Sequence, residues 1–404
     1  MNVLLLTLLY PKDQMMEAQE NAKDKIQNQI NSYQHAYMEG IRQNLLPQES
    51  LTIANALPVG VYPLQYRKAW LASGWHDQRS VWNFSCLNVP PFKQSMRKRQ
   101  ARRFVEEWAQ KSPQNRTVLI YTLYLPYLQA VAAAKKRYPD LKAVVIVTDL
   151  PNELGLSSGR TGLMKRIEYR RGKQSLDLCQ RMDGFVLLTQ LMAEALHISD
   201  KPFMVMEGLI QQENFPAVQE EKASVLYTGT LERELGIDHL LEAFAHMPRY
   251  ELWICGQGGA EADVKEAARR CQNIRYFGFV SRQEALQLQA QAACLINPRQ
   301  PSGVFTRYSF PSKTLEYMRS GKPVLCYKLE GIPDEYDPYL CYITEDGGIQ
   351  RAVEKVMALP RPERERIGQE ARHFVLTKKN PAVQCRRICD FLRNVSGQPI
   401  DPGV

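Results

Sequence analysis

Residues 299–325, Arg299 to Leu325, read RQPSGVFTRYSFPSKTLEYMRSGKPVL, and the fold is decided there. Pro311 suits the first turn of a helix, because its missing N–H would have no partner at that position. Ser312 and Lys313 follow at the helix start, Thr314 to Arg319 form the body, and Gly321 and Pro323 end it before an apolar strand, Pro323–Cys326. A helix start exposes unpaired backbone N–H groups and carries about half a positive charge. Arg307 and Lys313 add full charges, so the segment reads as an anion site suited to a phosphate or diphosphate. Glu316, one turn in, is placed to accept hydrogen bonds from vicinal ribose hydroxyls. The competing reading is a surface helix with a solvated Lys–Glu pair at spacing three.

Short apolar runs alternate with helical patterns on both sides of this segment. Val3–Leu9, Val118–Tyr121, Ala143–Thr148 and Gly184–Leu188 come first, with helical spacing at Lys25–Asn44 and Tyr127–Tyr138 between them. Ser224–Thr228, Tyr250–Cys255, Ile274–Tyr276 and Ala293–Ile296 precede the quoted strand, each followed by a helical stretch. Runs this short and apolar suit parallel strands covered on both faces. Two successive β-α series predict an α/β chain of two doubly wound, Rossmann-like domains, with binding loops at the carboxyl ends of the strands. The predicted domains are 1–210 and 222–375, with a final helical segment at 376–404 and a polar junction near 208–222.

A chain of 404 residues, 44% hydrophobic and 24% charged, has the length and apolar content for two cores. The mean hydropathy is -0.38. No apolar run reaches the ~18–20 residues of a membrane span. Met1–Tyr10 lacks a basic flank and reads as a first strand, not a signal peptide, so a cytoplasmic protein is expected. The nine cysteines include no Cys-x-x-Cys pair, and neither a metal site nor a cofactor is expected. The six histidines show no paired spacing on a helix face and read as structural.

The net charge of +9 belongs to one half. Residues 1–200 carry 26 Lys and Arg against 17 Asp and Glu, whereas residues 201–404 carry 26 of each. Such asymmetry points to an anionic partner for the first domain. Its densest cluster is Lys93–Lys111, where Phe92, Met96, Phe104, Val105 and Trp108 share a helix face and Arg97, Lys98, Arg102 and Arg103 fall to the sides. That pattern fits either a helix on an anionic membrane surface or a solvated one packed on its domain. Arg160–Lys173 has the same ambiguity. No basic stripe is interleaved with stacking aromatics, so no nucleic acid partner is expected.

The quoted segment resembles the signature of the retaining glycosyltransferases of family 4 (glycosyl transferases group 1), which have the GT-B fold. In that family a Glu, seven residues and a second Glu precede a small-Gly-x-Pro-Val strand entry. Glu316 stands at the second position, Tyr308 at the first, and Ser320-Gly321-Lys322-Pro323-Val324 follows. The form YSFPSKTLEYMRSGKPV resembles a branch found among bacterial polysaccharide-assembly enzymes. Tyr227–Asp238 is similar to the family's turn facing the donor phosphates, with Thr230 where an Arg is usual and Leu235 where a Lys is usual. Glu251–Gly259 is similar to the strand ending in Gly-x-Gly, and Asn273–Val280 to the loop that reads the nucleotide base. Pro381–Arg393 resembles the helix that crosses back to the first domain.

The resemblance implies two domains facing across a cleft and transfer of a sugar, with retention, from a nucleotide-sugar to an acceptor hydroxyl by a hexosyltransferase-type enzyme. It implies donor contacts at Gly229, Thr230, Gly256, Phe279, Val280, Arg307, Tyr308, Ser312, Lys313 and Glu316. The diphosphate charge falls to Lys313, Arg307, Arg233 or backbone amides. Lys313, Glu316 and Asp149, at the end of Val147–Asp149, are the expected catalytic residues. Tyr10, in a loop without the family's usual Gly-Gly, joins Arg97, Lys98, Arg102 and Arg103 as expected acceptor or membrane contacts. No Asp-x-Asp motif is present, so metal-independent chemistry is expected. A sugar or lipid-linked sugar acceptor, in cell-surface polysaccharide or glycolipid assembly on the inner face of the membrane, completes the reading. Its rivals are a non-catalytic accessory subunit and a nucleotide-sugar epimerase.

Overall fold

A computed structural model describes residues 1–23, 26, 28–112, 114–150, 163–216, 221–301 and 304–398. The chain divides into two compact units, one of Met1–Met206 with the segment from Pro381, the other of Glu207–Asn380. Lys25 and Gln27, Arg160–Gly162, residues 217–220, Ser302, Gly303 and residues 399–404 belong to stretches singled out above and lie outside the described residues.

Among its described residues the first unit has ten strands: β1 (Asn2–Thr7), β2 (Ser50–Asn55), β3 (Trp70–Leu71), β4 (Gly74–His76), β5 (Val81–Asn83), β6 (Cys86–Leu87), β7 (Arg116–Tyr121), β8 (Lys142–Val147), β9 (Gly184–Leu187) and β10 (Phe203–Val205). Eight form one sheet in the order β10-β9-β8-β7-β1-β2-β5-β4, parallel except where β4 turns back on β5. Strands β3 and β6 make a separate antiparallel ribbon. Strands β2 and β10 and the short strands between residues 70 and 87 have no counterpart in the sequence reading; those at 70–87 are two or three residues long with no helix between them to mark a β-α alternation. The last helix, Pro381–Val395, packs on Asn28–Gln43. A Cβ on Gly40 would lie 2.6 Å from Cys385 Sγ, so glycine permits that approach. Arg393 then reaches Glu49, whose side chain is 1% exposed, at 2.7 Å.

Helix Phe92–Lys111 corrects the predicted basic surface. Its buried face is Lys93, Arg97, Ala101, Val105, Trp108 and Ala109, and Phe92 is 56% exposed. Arg97, expected to touch acceptor or membrane, is 4% exposed and donates to Leu57 O and to Tyr124 Oη at 3.1 Å. Lys93 is buried beside it, donating to Val59 O and Gly60 O. Burial, then repulsion from Arg97, pushes the Lys93 ammonium down to about 8. These cations serve as main-chain donors because residues 57–60 turn their carbonyls inward and need partners there. Arg102 and Arg103 remain outside but pair with Glu106 and Glu107 one turn on, at 2.7 and 2.6 Å. Lys98 is exposed.

The second unit is a six-stranded parallel sheet of β11 (Lys222–Thr228), β12 (Glu251–Cys255), β13 (Ile274–Tyr276), β14 (Ala292–Asn297), β15 (Val324–Tyr327) and β16 (Cys341–Ile343), in the order β13-β12-β11-β14-β15-β16. Both faces are covered. Val225, Ile254, Cys294 and Leu325 pack with helix Ile237–Ala245 in one core, while Leu226, Trp253, Leu295 and Cys326 pack with helix Ser312–Arg319 in the other. Residues 209–216 of the predicted junction are fastened to this unit. Glu213 takes Arg282 at 2.6 and 2.8 Å and Arg319 at 2.5 Å, and Phe215 lies between Arg319 and Arg372. The doubly wound reading of both halves therefore matches the structure.

Candidate functional site

Strand order in the second unit reverses between β11 and β14, which opens a crevice at their carboxyl ends. Main chain builds its floor. Gly229 N–H donates to Cys255 O at 3.0 Å and Gly256 N–H to Gly278 O at 2.8 Å, joining the ends of β11, β12 and β13. Leu231 N–H donates to Gln257 O, and Ala260 N–H to Leu231 O, at 3.0 and 2.8 Å. A Cβ on Gly256, at φ 145°, would stand 1.8 Å from Gly229 O, and one on Gly258 2.4 Å from Leu231 O. Only glycine permits such spacing, so the loops meet backbone to backbone and leave their outer surface open.

Helix Ser312–Arg319 enters against this floor. Leu315, Tyr317 and Met318 are fully buried, each contributing ~1.5–3 kcal/mol of hydrophobic stabilisation. Tyr317 fixes the helix to β11: its hydroxyl accepts from Thr228 N–H and donates to Thr228 O, both at 2.9 Å. This tyrosine was not singled out in the sequence, and its place before Met318 in an apolar helix face was the available signal. Pro311 sits at the N-cap, one position earlier than predicted, and brings no side-chain cap. Helix Arg282–Gln291, by contrast, is closed by a capping box between Ser281 and Glu284. Ser312 is exposed at the start of the uncapped helix.

Lys313 and Glu316 pair at 2.7 Å, with side chains 37% and 16% exposed. The Lys313 stem lies against the loop after β11, since a Cβ on Gly229 would be 3.6 Å from Lys313 Cε. The structure thus brings Lys313, Glu316 and Gly229 together, with the main chain of Gly256 adjoining Gly229 and that of Gly278 adjoining Gly256. Thr230 is exposed and its carbonyl accepts from Tyr227 Oη at 2.7 Å. Phe279 is 66% exposed after Gly278, which takes φ 72°, and Val280 packs on the core beside Leu288.

Two expected charges are committed elsewhere. Arg307 sits on Glu330 at 3.1 and 3.2 Å, and Arg233 on Asp238 and Asp263 at 3.4 and 2.5 Å. Tyr308 is half-buried between Arg307 and Ser309. Arg299, after β14, escaped the sequence reading. It donates to Ser309 Oγ at 2.5 Å, and burial lowers its pKa to about 10. An arginine inside a loop carries no periodicity to betray its burial.

In the first unit Asp149 is exposed and accepts from Thr148 Oγ1 at 3.2 Å. Tyr10 is buried, with its hydroxyl spent on Pro58 O at 2.7 Å; its ring lines a cavity of 290 Å³ with Ile30 and Tyr66. Among the described residues no group of three or more His, Cys, Asp or Glu side chains is placed to hold a metal ion. No helix there is long and apolar enough to cross a membrane.

Comparison with known proteins bears on the family of the second unit and on the fold. Residues 210–374 match the family described as "Glycosyl transferases group 1". The chain is similar in structure to sucrose-phosphate synthase from Thermosynechococcus elongatus (TM-score 0.65, 11% identity, 98% of this chain and 99% of that one). It is also similar to the pneumococcal O-GlcNAc transferase GtfA, solved with UDP and GlcNAc (TM-score 0.54, 11% identity, 98% and 99%). A match to TarM has a TM-score of 0.54 at 11% identity and covers 79% of this chain but only 63% of TarM. No curated protein sequence matches. The second unit thus carries a glycosyltransferase domain, and the chain has the two-domain Rossmann-like GT-B fold.

Proposed function

We propose that this chain, whose residues 210–374 form a glycosyl transferases group 1 domain, moves a hexosyl group with retention from a nucleotide-diphosphate sugar to an acceptor hydroxyl. The observation that carries the reading is the uncapped amino end of Ser312–Arg319, which sets Lys313 and Glu316 against Gly229 at the strand switch point. Two of the similar structures are described as holding UDP, which supports a diphosphate-linked donor.

The donor's diphosphate takes the helix start, where amides and Lys313 meet its charge. As Lys313 turns to phosphate, ribose hydroxyls donate to the Glu316 carboxylate and replace the contact it loses. The bond from the anomeric carbon to the diphosphate oxygen breaks as the acceptor oxygen bonds to the same face. The acceptor proton passes to the departing phosphate oxygen. No metal ion is assigned a part. Lys313 and the helix dipole supply charge stabilisation, Gly229 and Gly256 let the phosphates approach main chain, and Phe279 and Val280 meet the base. Asp149 orients the acceptor, a sugar or lipid-linked sugar in polysaccharide or glycolipid assembly. Arg97 and Lys93 are buried and make no part of a membrane-facing surface.

Steady-state kinetics with a transferred sugar test the assignment. Lys313→Ala should lower kcat by about 10²–10³, the effect of losing one transition-state donor, with little change in KM. Glu316→Ala should mainly raise KM for the donor. Wild-type kinetics in both variants would remove the site from this helix.

A further inference from the structure

The first unit holds a cavity that the donor reading does not use. Its volume is 360 Å³, at the small end of the ~300–1,000 Å³ of ligand pockets, and two β-ribbons wall it. One ribbon, β3 with β6, presents Trp70; the other, β4 with β5, presents Trp75. Both indoles stand about half in solvent, at 54% and 48% exposure. Trp75 lies edge-to-face on Trp82 at 5.3 Å, and Trp82 stacks on Phe104 at 6.4 Å, so the ring is held in place.

The turn of that ribbon is braced as well. Asp77, Gln78 and Arg79 all take left-handed backbone, at φ 49°, 56° and 64°. Asp77 N–H donates to Asp13 Oδ2 at 3.1 Å, Asp13 N–H donates to Asp77 Oδ1 at 3.2 Å, and His76 Nδ1 lies 3.2 Å from Asp13 Oδ1.

The polar lining sets what can enter. Glu17 is paired with Lys68, His76 with Asp13, and Asn83 donates to Gln14 Oε1 at 2.5 Å. Charge of both signs lies in one small space, which gives a phosphate no net attraction. A hydrocarbon tail would desolvate those pairs without replacing their hydrogen bonds, at a cost of a few kcal/mol. A neutral ring with an apolar C–H face and a rim of hydroxyls suits both features. Its C–H face stacks on the electron-rich indole, and its vicinal hydroxyls exchange hydrogen bonds with carboxylate and ammonium. We propose that this cavity binds a neutral hexopyranosyl residue of the acceptor, with Trp70 and Trp75 as platforms and Glu17, Lys68 and His76 as hydroxyl partners. The glycosyltransferase reading enters only in identifying the ligand as acceptor; binding itself needs no donor.

The test uses the full chain without donor. Methyl α-D-glucopyranoside, methyl α-D-mannopyranoside, methyl β-D-galactopyranoside and cellobiose are each followed by saturation-transfer NMR and tryptophan fluorescence. At least one should receive saturation, strongest at its ring C–H protons, and quench fluorescence. Trp75→Ala should weaken it at least about tenfold, while Trp75→Phe, which keeps a stacking face, should retain most of it. Thermal stabilisation by nucleotide-sugars should be unchanged in both variants, which separates this inference from the donor reading. No transfer to any probe overturns the proposal, as does transfer undiminished in Trp75→Ala. Sedimentation with phosphatidylcholine vesicles that is lost in Trp75→Ala, with no saccharide response, overturns it in favour of lipid.

Discussion

The two units close their strand ends by different chemistry. In the second, loops meet main chain to main chain through Gly229, Gly256 and Gly278, and the side chains that help, Tyr227 on Thr230 O and Tyr276 on Gly256 O, add single hydroxyl donors around that contact. In the first, buried amides do the work. Asn55 Oδ1 accepts from Leu9 N–H at 2.8 Å, and Asn55 Nδ2 donates to Leu9 O at 2.9 Å and to Asn83 Oδ1 at 2.8 Å. Asn31 accepts from Tyr10 N–H at 2.7 Å, and Gln34 accepts from Leu8 N–H at 2.9 Å. Tyr10-Pro11-Lys12 therefore needs no Gly-Gly. The cations differ in parallel: Lys93 and Arg97 are consumed as buried donors, whereas Lys313 stands half-exposed over glycine. Glycine bracing leaves a surface free to bind phosphate, and amide bracing leaves one whose shape depends on side chains.

Gly256→Ala should break this comparison most severely. Its Cβ would meet Gly229 O at 1.8 Å, and strain plus overpacking should cost about 4 kcal/mol, read as a lower urea midpoint with donor binding lost. Asn55→Ala should cost about 3 kcal/mol by stranding the Leu9 amide and carbonyl, yet leave donor affinity per folded molecule unchanged. Loss of donor affinity there would mean the two bracing systems are not independent.

Lys93 gives an effect confined to alkaline pH, and with it a pH signature. Its folded pKa of about 8 lies below the ordinary 10.5, so the unfolded chain binds more protons between those values. Stability should rise with pH across that window, by about 3 kcal/mol for this group, with the burial cost fully felt below about 8. In Lys93→Met the rise should be smaller by that amount. Equal slopes in urea titrations of both proteins would show that the ammonium is hydrated.

Strands β1, β7, β8, β9 and β11 to β15 were legible in the sequence and appear within a few residues of their predicted bounds, whereas β2, β10 and β16 were not read. Glycine-marked turns were legible because their geometry admits one residue type. The ribbons at 70–87 were not: β13 is as short but falls in its place in the β-α alternation, whereas no helix separates β3, β4, β5 and β6. Nor was the burial of Arg97: a helical wheel places a cation but cannot show inward carbonyls of a distant loop waiting for a donor. Lys313 and Glu316 could be read as neighbours from spacing three, whereas Arg307 and Arg233 turned to carboxylates on other elements, Glu330 and Asp263, which spacing cannot reveal.

A thermal-shift titration with UDP-, GDP-, ADP- and TDP-sugars bears most directly on the donor site, comparing wild type with Glu316→Ala. One donor at about 100 times its Kd should stabilise the wild type by ~2.7 kcal/mol and the variant far less. Stabilisation by none of them, or by the same amount in both proteins, would contradict a donor held at the start of Ser312–Arg319.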